Sequence, residues 1–184
     1  MNNIISLFSR ANKTQPFEHL LAPHISGLYR QAYQYAGCAS DADDLLQDLL
    51  LELFNKQEQM SQAENLPAWL NRCLYHRFID RCRTQSRAPE YEDIDALPIK
   101  DERRSNEPEQ FCLNRQIVAG LQGLNPIQRA VVSLHDINGF SLPELASIVD
   151  MPLGTLKSHL HRARKQLKKN LRLQPFDEPA RQSV

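Results

Sequence analysis

The sequence predicts an all-α protein made of two small helical domains joined by an acidic, flexible linker. The C-terminal domain contains a helix-turn-helix. The 184 residues suffice for one domain or for two small ones. Apolar residues recur at helical spacing on both sides of residues 89–110, a stretch with eight acids, three bases and three prolines. We therefore expect a loose N-terminus (1–13), an N-terminal domain (14–88), the linker (89–110), a C-terminal domain (111–173) and a disordered tail (174–184).

The first predicted helix lies between the loose N-terminus and Gly37. Its apolar face consists of Phe17, Leu21, Leu28, Ala32 and Tyr35. Pro23 has no backbone N–H, so we expect it to kink this helix or to split it in two. Gly37 can adopt a left-handed conformation and is expected to end the helix.

An acidic helix is predicted over residues 41–54, DADDLLQDLLLELF. Leucines cover its buried side, and one narrow stripe carries Asp41, Asp44, Asp48 and Glu52. Leu51 lies next to these acids, near Gln47, and outside the buried side. Like charges four residues apart cost roughly 0.2–0.5 kcal/mol per pair. The stripe therefore favours a basic partner surface, and the alternative is an ordinary solvated face with one exposed leucine.

Asn65 and Pro67 predict the start of a third helix. Its apolar residues are Trp69, Leu70, Cys73, Leu74 and Phe78, while Arg72, His76 and Arg83 share another face. Cations beside aromatic rings suit the backbone and the splayed bases of a single nucleic-acid strand. The alternative is a cationic surface helix without such a role.

The C-terminal domain begins with a predicted helix over residues 111–121. Asn125 and Pro126 start a second helix, whose helical spacing extends to Ile137, and Gly139 ends it. Ser141 and Glu144 form a capping box at the start of a third, short helix, which Met151 and Pro152 end.

The last helix, from Gly154 to about Leu171, completes a helix-turn-helix. Its buried stripe is predicted at Leu156, Leu160, Ala163 and Leu167. Residues 151–172 hold seven Lys or Arg and no acid. In helix-turn-helix proteins the first turns of the second helix meet base edges, and cations farther along meet phosphates. The alternative, a solvated basic helix end, is disfavoured because periodicity, turn and charge agree.

Composition limits the other functional classes. The net charge is zero and the pI is about 7.0, but the acids and bases are segregated along the chain. The four cysteines form no CxxC pair, which indicates a reducing cytosol. We expect no signal peptide, membrane insertion, metal or cofactor, because neither an apolar span nor a set of residues at metal-ligand spacing is found. The absence of a nucleophile-base constellation argues against an enzyme.

Domain by domain, the chain resembles the ECF group of bacterial RNA polymerase sigma factors. DADDLLQDLLLELF is similar to their acidic DAEDLVQETF-type segment, and PAWLNRCLYHRFIDRCRTQSR is similar to their Trp-containing helix. GTLKSHLHRAR resembles their GTVKSRLHRAR signature, and the whole match covers about residues 16–172.

The resemblance implies promoter-specific transcription initiation with core RNA polymerase. It implies that the acidic helix binds the β′ clamp coiled coil through Asp44, Gln47, Asp48 and Leu51. It implies minus-10 recognition and melting by Arg72, His76, Asp80 and Arg83. It implies minus-35 recognition by Thr155, Lys157, Ser158, His159, Arg162 and Arg164. The β flap, promoter DNA and an anti-sigma factor are the further partners that it implies.

Three residues depart from the family pattern. His76 replaces an Asn, and His159 replaces an Arg, which removes a permanent charge and a bidentate donor. Asp150 replaces a Gly, and we expect the turn to differ there, because Asp tolerates a left-handed conformation less well.

Two other classes remain open from the sequence. A dimeric helix-turn-helix repressor or activator would bind duplex DNA without polymerase, and it would need neither the acidic face around Leu51 nor a second basic domain. In a metalloprotein, Cys73 and His76 could share an ion, although His159 and His161 point about 200° apart on a helix. For the free protein, we expect weak DNA binding, because its two DNA faces are flexibly joined and partly masked by the acidic linker.

Overall fold

The computed structural model describes residues 15–87 and 109–172, and within these ranges every regular element is helical. This confirms the predicted all-α class. The elements are α1 (Gln15–Ala36), α2 (Ala39–Asn55), α3 (Gln57–Ser61), α4 (Leu66–Arg87), α5 (Glu109–Gln122), α6 (Pro126–Val132), a π-helical turn (Ser133–Ile137), α7 (Leu142–Val149) and α8 (Leu153–Arg172). None of the described helices is long and apolar enough to cross a membrane. The predicted loose N-terminus, most of the linker and the tail lie outside the described residues.

Helix α1 runs through Pro23 without a break, so the predicted split does not occur. Residues on both sides of the proline, such as Leu21 and Leu28, are buried in one core, which holds the two halves of the helix in line. Pro23 itself is exposed, where water can hydrogen-bond to the carbonyl group that the proline leaves unpaired. Gly37 follows the helix with φ +88°, which confirms the left-handed end.

Helix α2 packs against α1 and α4 through its predicted apolar side. Its fully buried residues are Ala42, Leu45, Leu46, Leu49 and Leu53. Each buried leucine contributes roughly 1.5–3 kcal/mol relative to an exposed one, so this side fixes the rotation of the helix. Leu51 therefore points away from the core and is 63% exposed, as the sequence predicts.

Side-chain caps position the helices that follow. The Asn65 Oδ1 atom accepts a hydrogen bond from the Ala68 amide at 3.1 Å, and the Asn125 Oδ1 atom accepts one from the Gln128 amide at 2.9 Å. Glu144 accepts a hydrogen bond from the Ser141 amide at 2.9 Å, and the Ser141 hydroxyl accepts one from the Glu144 amide at 3.4 Å. All three predicted helix starts are confirmed.

The helix that begins at Pro126 does not remain α-helical to Ile137. It changes into the π-helical turn, in which the Asn138 amide donates to the Ser133 carbonyl oxygen, five residues earlier, at 3.0 Å. The additional residue in this turn shifts Ile137 away from the apolar face, and Ile137 is 40% exposed. Gly139, with φ +78°, then ends the segment as predicted.

The N-terminal helices α1 to α4 and the C-terminal helices α5 to α8 pack against each other and share one buried cluster. The C-terminal end of α1 meets α5, α6 and the π-helical turn, and α4 lies along α7. At the centre, the rings of Tyr35 and Phe78 stack with their centroids 4.5 Å apart. Both rings belong to the N-terminal domain. The sequence did not predict that the two domains pack against each other.

Candidate nucleic-acid interface

Helix α8 has one buried face and one basic face. Leu156, Leu160 and Ala163 are buried and Leu167 is half-buried, which confirms the predicted stripe. The rest of the helix surface is exposed, with Thr155, Arg162 and Ser158 on one side of it and Lys157 and Arg164 on the other. The buried stripe thus brings five of the six predicted minus-35 residues to the surface of one helix. An exposed hydroxyl near the first turn and cations along the helix can meet base edges and phosphates, respectively.

The turn between α7 and α8 keeps a left-handed residue although it has no glycine. Asp150 adopts φ 53° and ψ 55°, and the Met151 amide donates to the Ala146 carbonyl oxygen at 3.1 Å. The expected change of the turn at Asp150 is therefore not observed. Asp is among the few residues other than glycine that enter this region singly, so the two helices of the motif keep a tight connection.

His159 is not exposed with the other predicted minus-35 residues. Its side chain is half-buried, and its Nδ1 atom is buried without a hydrogen-bond partner among the described residues. The position follows Leu156 by three residues and precedes Ala163 by four, so it borders the buried stripe. The same spacing in the sequence could have indicated this orientation.

Arg164 is held by a residue that the sequence analysis did not single out. Its Nε donates to Asp136 Oδ2 at 2.9 Å and its Nη2 donates to Asp136 Oδ1 at 2.5 Å. The Nδ1 atom of His135 lies 2.8 Å from the same carboxylate. Hydrogen bonds from Arg164 hold the pKa of Asp136 below its ordinary value. Asp136 therefore fixes the direction of the Arg164 side chain on α8.

Helix α4 carries the four predicted minus-10 residues on one side, in two different environments. At the N-terminal end, Arg72 donates from Nη1 to the Ser147 carbonyl oxygen of α7 at 2.6 Å. At the C-terminal end, Asp80 and Arg83 are mostly exposed, and Arg83 Nη1 lies 3.4 Å from Asp80 Oδ1. His76 lies between these two ends, and burial together with the charge of Arg72 lowers its pKa. The neutral form of its imidazole is therefore favoured.

Other arginines of α4 neutralise part of the acidic stripe on α2. Arg81 Nη2 lies 2.8 Å from Asp41 Oδ1 and 3.6 Å from Asp44 Oδ2. Arg77 Nη2 lies 2.6 Å from Glu52 Oε2. These ion pairs explain part of the like-charge spacing on α2 without an external partner. Within the described residues, Asp48 has no ion pair, so it remains available to a basic partner.

The remaining exposed face of α2 combines acids with apolar side chains. Asp44, Gln47 and Asp48 are exposed beside Leu51. Phe54, which the sequence analysis did not select, is 52% exposed, and its ring meets that of Phe17 edge-on at 5.8 Å. The result is an apolar surface bordered by carboxylates, which suits a partner that offers both apolar and basic side chains.

The described residues contain no group of three or more His, Cys, Asp or Glu side chains that could hold a metal ion. Cys38, Cys73 and Cys82 are free thiols. Burial raises the pKa of Cys73 to about 11, so this thiol is neither a ready metal ligand nor a nucleophile.

The two domains match two family models separately. The family model described as Sigma-70 region 2 matches residues 20–88, and the one described as Sigma-70, region 4 matches residues 114–167. Regions 2 and 4 thus fall on the N-terminal and C-terminal helices, respectively.

Curated proteins and solved structures give the same result. The ECF RNA polymerase sigma factor SigE of Mycolicibacterium smegmatis is 32% identical over 155 residues, which span 83% of this chain and 60% of that relative. The ECF RNA polymerase sigma factor EcfG of Rhodopseudomonas palustris is 32% identical over 136 residues, 74% of each chain. The sigma factor RpoE of Bartonella quintana, solved in complex with the anti-sigma factor NepR, has 26% identity and a TM-score of 0.69. That match covers 88% of this chain and 100% of that one.

Proposed function

This chain belongs to the ECF group of RNA polymerase sigma factors, and we propose on this premise that it binds core polymerase through α2 and directs it to promoters through α8 and α4. One observation carries the proposal: the three exposed surfaces differ in chemistry and lie on different helices. The acidic and apolar surface of α2 lies in region 2 with the α4 face, whereas the basic face of α8 lies in region 4. A repressor or activator that acts without polymerase would need only the last of these surfaces.

For the minus-35 element, we propose that α8 enters the major groove. Thr155 and Ser158 are exposed in its first turns and would meet base edges, whereas Lys157 and Arg162 would meet phosphates. Arg164 would approach the DNA in the direction that Asp136 sets. Each phosphate contact should contribute about one unit to the salt dependence of binding.

For the minus-10 element, we propose that α4 meets the separated strands. Asp80 and Arg83 form its exposed end, and the edge-on rings of Tyr75 and His76, 5.4 Å apart, lie on the same helix. The neutral imidazole of His76 can donate and accept hydrogen bonds, as the amide of the Asn in the family pattern does. Its geometry differs, and the preferred minus-10 sequence should differ with it.

For polymerase binding, we propose that Asp44, Gln47, Asp48 and Leu51 dock on the β′ clamp coiled coil, while region 4 meets the β flap. The exposed Leu51 would supply the apolar anchor, and Asp48 would supply an unpaired charge at its border. Polymerase provides the chemistry of RNA synthesis, so this role requires no catalytic group from the chain, and it places the protein in the cytoplasm. An anti-sigma factor, such as the NepR bound to the Bartonella relative, is a further proposed partner.

Run-off transcription from a library of promoter fragments tests the proposal. Core RNA polymerase is used with and without the full chain, and we expect transcripts from a subset of fragments only when the chain is present. A chain that binds duplex DNA but not core polymerase would contradict the proposal and would favour an ordinary helix-turn-helix regulator.

A further inference from the structure

We propose that the minus-10 face of α4 is also the docking surface of the chain's own helix-turn-helix domain, so that the free protein rests in a closed form that Arg129 holds together. This inference rests on the proposed minus-10 role of Arg72 and His76. In the closed form, region 4 would have to leave α4 before a separated strand could bind there.

The first argument is that α7 uses groups of α4 that the nucleic acid would need. The Arg72 guanidinium donates to the Ser147 carbonyl oxygen at 2.6 Å. At the start of α4, the Asn65 side chain donates to Glu144 at 3.3 Å. The helix-turn-helix domain thus engages Arg72, at the N-terminal end of the proposed strand-binding face, while His76, Asp80 and Arg83 stay exposed.

The second argument is the position of Arg129, whose guanidinium bridges the two domains. Its Nη1 donates to the Tyr35 carbonyl oxygen of α1 at 2.5 Å. Its Nη2 donates to the carbonyl oxygens of Gln122 and Leu124, at 3.2 and 3.3 Å. The guanidinium carbon also lies 5.8 Å from the centre of the Phe78 ring.

Arg129 therefore acts at two helix ends at once. Tyr35 lies in the last turn of α1, and Gln122 is the last residue of α5, where unpaired carbonyl groups concentrate negative partial charge. A single cation satisfies both ends only while they are close together. Among the described residues no carboxylate pairs with Arg129, and its contacts with Tyr35 and Phe78 exist only in the closed arrangement.

The third argument is that polar side chains form much of the remaining seam. Ser133 donates to Gln34 and Asn138 donates to Gln31, and both glutamines are buried in α1. The Gln122 side chain donates to the Gln34 carbonyl oxygen at 3.2 Å. Water can satisfy these groups when the domains separate, so they lower the cost of opening a seam that also contains apolar contacts.

Distances between spin labels in the free full-length chain test closure. The labels are placed on unnatural amino acids that replace the exposed Gln59 and Lys169, one in each domain, which leaves the native cysteines unlabelled. The wild-type chain should give one narrow distance distribution. Arg129→Gln should broaden it towards longer distances, whereas Arg30→Gln, which removes an exposed charge of α1, should not. A broad distribution in the wild type would overturn the proposal.

Fluorescence anisotropy with a random-sequence single-stranded oligonucleotide tests whether closure masks α4. Apparent affinity scales with the fraction of open molecules, so Arg129→Gln should bind about tenfold more tightly than Arg30→Gln at the same salt concentration. Both variants lose one positive charge, so electrostatics alone predicts equal or weaker binding. Equal affinities would overturn the masking.

Gln122→Ala provides a second variant if Arg129→Gln does not fold. It removes the hydrogen bond to the Gln34 carbonyl oxygen and the side chain that lies beside Gly37, and it should shift the distances and the affinity in the same direction by a smaller factor. Both measurements are made without polymerase or promoter. A failure of run-off transcription would therefore contradict the proposed function without changing the distance result. A broad distance distribution would contradict closure without changing the transcription result.

Discussion

Asp136 in the π-helical turn accepts two hydrogen bonds from Arg164, which lies 28 positions later on the helix proposed to read the minus-35 element. The contact joins the segment before the helix-turn-helix to the middle of α8, so the orientation of Arg164 does not depend on α8 alone. Arg164 is 53% exposed and Asp136 is 29% exposed, which leaves the guanidinium accessible to a phosphate while its direction is fixed.

Asp136→Asn should destabilise the protein at pH 7 by roughly 0.2–1 kcal/mol, because it removes the charge from a partly exposed ion pair. The folded-state pKa of Asp136 is lowered, so its contribution is present above the ordinary value of 3.8 and disappears as the pH falls through the lowered value. Chemical denaturation at several pH values measures this. The variant and the wild type should converge in acid, and a difference that persists there would contradict the assignment. Asp43→Asn, at an exposed position, is the matched control.

Thr155→Ala should change the base preference in the promoter library more than His159→Ala does. Thr155 is exposed in the first turn of α8, whereas His159 is half-buried with its Nδ1 atom enclosed. Loss of a good base contact costs about 1–3 kcal/mol of discrimination. Sequencing of the transcripts from the library measures the preference. A larger effect of His159→Ala would show that His159 turns outward on DNA.

Leu51→Asp should abolish binding to core polymerase while the fold stays intact. The side chain is 63% exposed, so the free energy of unfolding should change by less than about 0.5 kcal/mol. Gln59→Asp, which adds the same charge at an exposed position of α3, should bind core normally. Co-purification with core polymerase and a denaturation curve check both points. Normal core binding by Leu51→Asp would refute the proposed anchor.

Gly37→Ala should destabilise the protein by more than about 1 kcal/mol, because Gly37 has φ +88° and alanine is strained there. A Cβ atom would also lie 2.5 Å from Cδ of Gln122, so Gln122→Ala should recover part of the loss. Gly27→Ala is the control, since it lies within α1 with open space around it and should stabilise the helix by roughly 0.5–1 kcal/mol. Thermal unfolding of Gly37→Ala, Gln122→Ala, the double variant of both and Gly27→Ala measures these differences. Equal effects at Gly37 and Gly27 would be inconsistent with a left-handed residue at Gly37.

The sequence predicted those features that depend on a few neighbouring residues. The caps at Asn65 and Asn125, the capping box at Ser141 and the left-handed Gly37 each follow from local backbone chemistry, and the structure confirms them. The buried stripes of α2 and α8 follow from spacing along one helix. At Pro23 the predicted alternative of two separate helices does not occur, because packing on both sides of the proline outweighs the missing hydrogen bond.

Contacts between residues far apart in the sequence could not be predicted in this way. Arg129 and Tyr35 are separated by 94 positions, and no local pattern links them. The pairing of Arg81 with Asp41 likewise requires knowledge of how α4 lies on α2. The exposure of Phe54 was not predicted either, because it depends on which other helices cover that side of α2.

The π-helical turn makes the length of one short segment more important than its composition. Because its hydrogen bond spans five residues, Ser133 and Asn138 lie one above the other and both reach α1, at Gln34 and Gln31. Loss of a single codon between these two positions would restore the ordinary helical repeat and rotate Asn138 away from its partner. In this segment, a deletion should therefore disturb the packing of the two domains more than a substitution does.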